Sequence, residues 1–520
     1  MFLVTMRKLF EIVLLVIASF LSDGSSELID GDMEVSSELG LQGITEERYK
    51  WGNHIKYHIT KYSDPSKTLP EGNITEALNG IEEAVTCLTF EEFEEEFIGM
   101  HRTEMIIFQF KKKACQSQVG KQSNKPTRIS MDPSVCSDVG VIQHEVIHSL
   151  GNIHEHMRVD RDSFVKVDEE KAEELNYLKD FKRWDKKLKY RLYTPYDFNS
   201  IMHYRSKYNG STLITPHNPI YNDKITPNKT MEMSAADKLG LNLHFECPTI
   251  ATSLHKDYLK FYQYSIYHEL TQLDIVETEV SLKSCLLYPE TVSVDLVYDD
   301  EGDSDVSGEY RKIQIGVEKP SWKHIDYDIY IRYSGDSSRW QVVRNSDGKI
   351  LARSRESKKN MLVGHSTDWD NVEIDIFFQS EGCVYKQAEA DTNRNTMSTS
   401  SHLKKLEMVE IEIFNHLTQF DIKETEASQR SPILFPFHIY VREQEETELF
   451  AGEYRKVVGE IRNKRPVWKH VELDYELEYS DRRWTITRTS DGATVARSQY
   501  TTKNILLTNS DQWEYLRDNQ

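Results

Sequence analysis

His144, His148 and His154 stand in the run Gln143-His-Glu-Val-Ile-His-Ser-Leu-Gly-Asn-Ile-His-Glu155, an H-E-x-x-H-x-x-G-x-x-H pattern. On a helix, positions i and i+4 lie one turn apart on one face, so His144 and His148 can aim ring nitrogens at the same ion. Glu145 is rotated off that face and can hydrogen-bond a metal-bound water instead of ligating, which is what a general base requires. Gly151 tolerates the left-handed turn that ends a helix, so the chain can double back and deliver His154 as a third ligand. Three neutral imidazoles favour zinc with one position open for water. A bare H-E-x-x-H arises by chance in about one or two per cent of chains of this size, and the added Gly and His cut that by roughly a thousandfold.

The stretch from His144 to Asp162, continuing Glu155-His-Met-Arg-Val-Asp-Arg-Asp162, resembles the extended zinc signature of the astacin family of metalloendopeptidases. Tyr196-Asp-Phe-Asn-Ser-Ile-Met202-His203-Tyr204 is similar to that family's Met-turn. The likeness covers about residues 45 to 248 and implies a metzincin-like α+β fold, a mixed sheet plus long helices, that hydrolyses internal peptide bonds. It implies zinc held by His144, His148 and His154, with Glu145 as the general base. Met202 would form the floor under the metal. Tyr204 would be a fifth ligand at rest that swings away to donate its phenolic hydrogen to the oxyanion. The family's two bridges imply Cys87 with Cys247 and Cys115 with Cys136, which leaves Cys285 and Cys383 to pair in an oxidising compartment. Ile29-Asp-Gly-Asp32 resembles the family's latency element, with Asp32 ligating zinc in place of water in the latent form only. After activation, the new amino terminus would lie near Glu155.

These residues need a scaffold and a compartment. Arg7 and Lys8, the apolar run Ile12 to Leu21 and the small residues Ser22, Gly24 and Ser25 follow the order of a signal peptide, expected over residues 1–24. The run is too short for a permanent anchor, which takes roughly 20 apolar residues. Sequons at Asn73, Asn209 and Asn228 are compatible with export and glycosylation. Residues 25–42 are acidic, Ser/Gly-rich and aperiodic, and read as a propeptide. From Trp51 to Cys247 the texture is globular, with strands expected at His54 to Ile59 and Met105 to Phe110 and an amphipathic helix from Thr75 to Cys87. The protease domain is placed at 43–249.

Beyond it, frequent Tyr, Trp and Val with turn pairs such as Asp347-Gly348 and Asp491-Gly492 predict β-rich modules. The chain also repeats itself. Gly308-Glu-Tyr-Arg-Lys312 matches Gly452-Glu-Tyr-Arg-Lys456; Trp322-Lys-His324 matches Trp468-Lys-His470; Trp340 and Trp369 match Trp484 and Trp513; Leu270-Thr-Gln272 matches Leu417-Thr-Gln419. Such a period is domain-sized and reads as a tandem duplication, not a solenoid. The expected layout is a first β-rich module at 255–385, an Asn/Thr/Ser-rich linker at 386–403 and a second module at 404–520. The shared aromatics read as core more readily than as a binding face for sugars or peptides, because large rings dominate interior burial.

The chain has 520 residues and a formal charge of −21, which disfavours nucleic acid and anionic membranes as partners. The expectation is a secreted, extracellular zinc endopeptidase, made as a latent zymogen, that acts on proteins or peptides, extracellular matrix included. The β-rich modules would bind protein or carbohydrate, and no membrane anchor is foreseen. The competing reading is a secreted binding or adhesion protein in which the repeats carry the function and the protease domain is restricted or inactive. Retention of all three His, the Glu and the Tyr argues against it.

Overall fold

The computed structural model describes residues 27–28, 33–35, 50–93, 104–123, 125–184, 192–208, 210–225, 231–296, 306–313, 319–355, 369–370, 372–377, 394–442, 447–501 and 513–516. The expected signal peptide 1–24, Asp32, Asn209, Asn228 and Cys383 lie outside them. The chain forms two compact units, one of residues 1–161, 165–215 and 223–254, the other of residues 162–164, 216–222 and 255–520.

The first unit is built on a seven-stranded mixed sheet of β1 (Glu27–Leu28), β2 (Met33–Val35), β3 (His54–Ile59), β4 (Thr89–Glu92), β5 (Met105–Phe110), β6 (Cys115–Gln118) and β7 (Thr127–Met131). The strand order is 1-2-6-7-5-3-4. Strands β4, β3, β5 and β7 run parallel, β6 is antiparallel to β7, and β2 adds to β6 in parallel. Strands β3 and β5 fall where the period-2 pattern puts them. Helix α1 covers Glu71–Ala84, starting directly after Pro70 and four residues before the expected Thr75. Its apolar stripe Ile74, Ala77, Leu78 and Ile81 faces the core, and the helix stops at Val85, whose backbone is extended.

Helix α2, Val139–Ser149, is capped by Asp138, whose carboxylate accepts from Gly140 and Val141 N–H. Both helices share one hydrophobic cluster with the sheet, including Ile55, Phe108, Ile81, Ile142, Val146 and Met202. Shorter helices α3 (Glu169–Glu174) and α4 (Leu178–Phe181) follow, then α5 (Ala235–His244). Cys87 is bonded to Cys247 and Cys115 to Cys136. Cys285 is also disulfide-bonded. Asn73 sits exposed on α1 with its amide donating to Ser137 O at 2.7 Å.

The repeat region is β-rich, as read, but each copy opens on a helix that its texture did not announce. Helix α6 (Thr252–Leu270) and the short α7 (Glu279–Lys283) precede the first seven-stranded sheet; α8 (Thr399–Leu417) and α9 (Glu426–Arg430) precede the second. The expected linker 386–403 is corrected at its C-terminal end: Thr396–Ser398 is a strand, and α8 starts at Thr399 with Ser398 as its cap, because Ser/Thr runs that resemble linker also cap helices. The capping boxes of α7 and α9, Thr278 with Ser281 and Thr425 with Ser428, are equivalent residues of the two copies.

The repeated residues are structural. Trp322, Trp340, Trp468 and Trp484 are fully buried, so they do not form a binding face. The indole N–H of Trp322 donates to Pro289 O and that of Trp468 to Pro436 O, both at 2.8 Å. Gly308 and Gly452 have φ of +143° and +133°, and a Cβ at either would lie 2.5 Å from Nε2 of His324 or His470. The Gly of the first motif is therefore tied to the His of the second.

Equivalent residues also meet each other. Ile275 and Ile422 form an antiparallel bridge, flanked by Val276 N–H to Asp421 O at 2.8 Å and Lys423 N–H to Asp274 O at 2.9 Å. His255 and His402 approach Nδ1 to Nδ1 at 2.5 Å, 147 residues apart in sequence, the same offset as the Ile pair. Reciprocal contacts of this kind define a two-fold relation between the copies. Buried residues of both copies, such as Trp340, Leu270, Leu417 and Trp484, belong to one continuous cluster.

Both imidazoles are held neutral. Burial, reinforced by Lys405 and Lys256, lowers His255 to about 4, and burial beside His255 lowers His402 to about 3. The unfolded chain, with His near its ordinary 6.5, then binds more protons than the native one below that pH, so stability present above about pH 6.5 falls as pH drops toward 4. Unfolding of the second unit at pH 5 should be easier than at pH 7 by about 2 kcal/mol per imidazole. Replacing both by Phe should flatten that dependence in denaturant titrations; an unchanged pH profile would refute the assignment.

Candidate metal centre

Helix α2 is buried on nearly every side, so His144, Glu145 and His148 reach the interior together. After Leu150 the chain turns at Gly151, with φ +113°, and Gly151 N–H donates to His148 O at 2.9 Å. The turn returns His154 to the same point. The three Nε2 atoms lie 3.0 to 3.2 Å from one another. His144 Nδ1–H donates to Ile201 O at 2.9 Å and His148 Nδ1–H to Asn152 O at 2.7 Å. These bonds select the tautomer that leaves Nε2 as a lone pair. Converging buried lone pairs repel unless a cation lies between them, so the donor set fits one zinc ion. Glu145, adjacent to His144, is 1% exposed.

Met202 is buried in the same cluster as α2, and Glu155 N–H donates to its carbonyl at 2.9 Å. Its turn is fixed from outside. The Asp237 carboxylate accepts from Ser200 Oγ at 2.6 Å, from Ile201 N–H at 2.8 Å and from Ser234 N–H at 2.9 Å, closing a capping box at the start of α5. Tyr196 donates its hydroxyl to His203 Nε2 at 2.8 Å, and His203 Nδ1–H donates to Tyr204 O. The Tyr204 ring lies 4.2 Å from that of His154, centroid to centroid.

Glu155 is turned away from the triad. One oxygen accepts from Arg158 Nη1 at 2.7 Å and from Asp197 N–H at 2.8 Å, yet burial dominates and raises its pKa to about 7. Arg158 also grips Asp160 with two bonds of 2.9 Å. Glu155 lines a cavity of about 50 Å³ with Lys50, Arg158, Ser200, Asp237 and His244.

The structure brings His144, His148 and His154 to one point with the Tyr204 ring beside His154, keeps Glu145 buried on the same helix and Met202 in the cluster that packs α2, and pairs Glu155 with Arg158, while Asp32 lies outside the described residues. Asp237, Arg158, Asp160 and His156 support the site without a role assigned to them from sequence. The Ser234-x-x-Asp237 spacing carried a readable capping signal; the others had none.

The family model described as Astacin, a peptidase family, matches residues 43–246. Low choriolytic enzyme of Oryzias latipes is 38% identical over 134 residues, 26% of this chain and 47% of that protein. Meprin A subunit beta of Homo sapiens is 27% identical over 227 residues, 42% of this chain and 30% of that protein. Zinc metalloproteinase nas-14 of Caenorhabditis elegans is 26% identical over 208 residues, 37% of this chain and 40% of that protein. The chain thus spans less than half the length of each of these relatives. The solved structure of high choriolytic enzyme 1, a hatching enzyme zinc-protease from Oryzias latipes, aligns with 26% identity and a TM-score of 0.29, covering 38% of this chain and 95% of that one.

Gly151→Ala forces a side chain into a φ that L-residues rarely adopt, at a cost of about 1–3 kcal/mol. It should lower the melting temperature and speed zinc loss to a chelator; wild-type metal retention would show that the turn does not set His154.

Proposed function

Residues 43–246 are an astacin-family zinc metalloendopeptidase domain, and on that premise we propose that the chain is a secreted endopeptidase made as a latent zymogen, with Glu145 as its general base and Tyr204 as its oxyanion donor. The observation that carries the site assignment is the convergence of three imidazole Nε2 atoms at 3.0 to 3.2 Å with the buried Glu145 on the same helix. His144, His148 and His154 would hold the zinc, which when bound would supply Lewis acidity and a water of pKa lowered toward about 7. Glu145 takes the proton of the attacking water and later delivers it to the leaving amine. Tyr204 donates its phenolic hydrogen to the tetrahedral oxyanion. Met202, buried in the cluster that packs α2, is the proposed apolar floor of the site.

Latency is supported by the sheet. Strand β2 pairs Met33 with Ser117 and Glu34 with Gln118, covering an edge of the catalytic sheet that would otherwise accept an extended peptide. Asp32 immediately precedes that strand in sequence, and a carboxylate suits the position of a water on zinc. The cavity beside Glu155 is the proposed seat of the amino terminus exposed by activation. The proposed substrates are proteins or peptides of the extracellular space.

Glu145→Gln should keep one zinc per chain yet lower kcat on a fluorogenic peptide by about 10²–10⁴. Retained turnover would overturn the assignment of Glu145. Asp32→Ala should give the unprocessed chain measurable activity; a variant as silent as the unprocessed wild type would remove Asp32 from the latency mechanism.

A further inference from the structure

We propose that His156 is a positioning residue that holds Tyr204 in place beside the metal ligands, an inference that rests on the role given to Tyr204 above. Two residues beyond the third ligand, His156 lies in a one-turn 3₁₀ segment, Glu155–Met157, and is fully buried. It does not join the ligand triad. Its ring instead joins those of His154 and Tyr204 in a three-ring cluster. It lies nearly parallel to Tyr204, with centroids 4.4 Å apart and planes at 22°, and nearly parallel to His154 at 5.4 Å and 23°.

The ring is fixed from its far edge. His156 Nε2–H donates to Asp180 O on α4 at 2.9 Å. Helix α4 is in turn tied to the segment that carries the ligands: Arg161 Nη1 donates to the carbonyls of His156 and Phe181, and Trp184 N–H donates to Met157 O at 2.8 Å. Phe181, from the same helix, meets both His156 and Tyr204, at 5.3 and 5.8 Å. With Nε2 committed as a donor, Nδ1 of the neutral ring is a buried acceptor with no hydrogen-bond partner among the described residues. A phenylalanine would fill the slot without that penalty. What the histidine adds is an N–H that sets the plane of the ring.

Tyr204 is only half buried, and on its outer side it meets Tyr208 at 5.4 Å. The His156 ring packed against it is held in plane by the bond to Asp180 O. A phenol that must hand a hydrogen to a developing oxyanion depends on this registry, because a displacement of about 1 Å at such a donor is expensive in rate. His156 touches neither substrate nor metal in this arrangement; it acts through Tyr204.

The test uses the processed full-length enzyme and four variants, His156→Ala, His156→Phe, Tyr204→Phe and His156→Ala with Tyr204→Phe, read by zinc content, melting temperature, kcat and KM. His156→Ala should keep one zinc, lower kcat about tenfold and leave KM within about twofold. His156→Phe, which retains the ring and loses the N–H, should recover part of the lost kcat and preserves volume if the Ala variant does not fold. The double variant should be no slower than Tyr204→Phe alone. Additive losses, loss of zinc in both His156 variants, or an unchanged kcat in His156→Ala would overturn the proposal. A Tyr204→Phe enzyme of full kcat would instead remove the underlying role of Tyr204, and this inference with it. A slow Tyr204→Phe with additive His156→Ala removes only the inference.

Discussion

Three imidazole lone pairs brought to one buried point are unstable by themselves, and the surrounding structure is organised by that fact. The backbone carbonyls of Ile201 and Asn152 take the Nδ1 protons of His144 and His148, so each Nε2 can only accept. Such a site binds a cation or pays for mutual repulsion. Two of its determinants are local, the helical i, i+4 spacing and the turn at Gly151. The third is not. Ile201 comes from a turn more than fifty residues downstream, held in place by the Asp237 carboxylate at the start of α5.

The aromatic stack behind His154 extends the same logic. Tyr204, His156 and Phe181 come from three separate stretches of chain and meet because buried hydrogen bonds from Arg161 and Trp184 close α4 onto the ligand-bearing segment. Arg161 is itself buried and carries an ion pair to Glu169 at 2.7 Å. A buried guanidinium must be fully engaged, and here its donors are spent on organising carbonyls next to the active site. Arg158 does comparable work for Glu155 and Asp160. Arg158, Asp160 and Arg161, the buried charges of the zinc motif's tail, are thus a framework for the ligand-bearing segment.

The repeat region is governed by a different constraint. Gly308 with His324, and Gly452 with His470, show that short motifs far apart in each copy are one packing unit, since any side chain at the glycine would strike the imidazole. Around the two-fold relation, Ile275 meets Ile422 and His255 meets His402, so each copy buries a surface against its own equivalent. Duplicate sequences can satisfy one another in this way with a single set of contacts, which is why one hydrophobic cluster runs through both.

Local chemistry was legible from the chain alone. The ligand spacing, the glycine turn, strands 54–59 and 105–110 and the duplication all follow from short-range geometry or from self-comparison, which need no fold. Helices α6 and α8 were missed because their Tyr-rich and Ser/Thr-rich stretches carry the same residues as strands and linkers, and only packing of their apolar faces decides between them. The two-fold pairing of the repeats, the Asp237 clamp, the Arg158 and Arg161 networks and the stack under Tyr204 join residues tens to hundreds of positions apart. Such contacts exist only once loops have closed and water has been excluded, so tertiary structure alone could decide them.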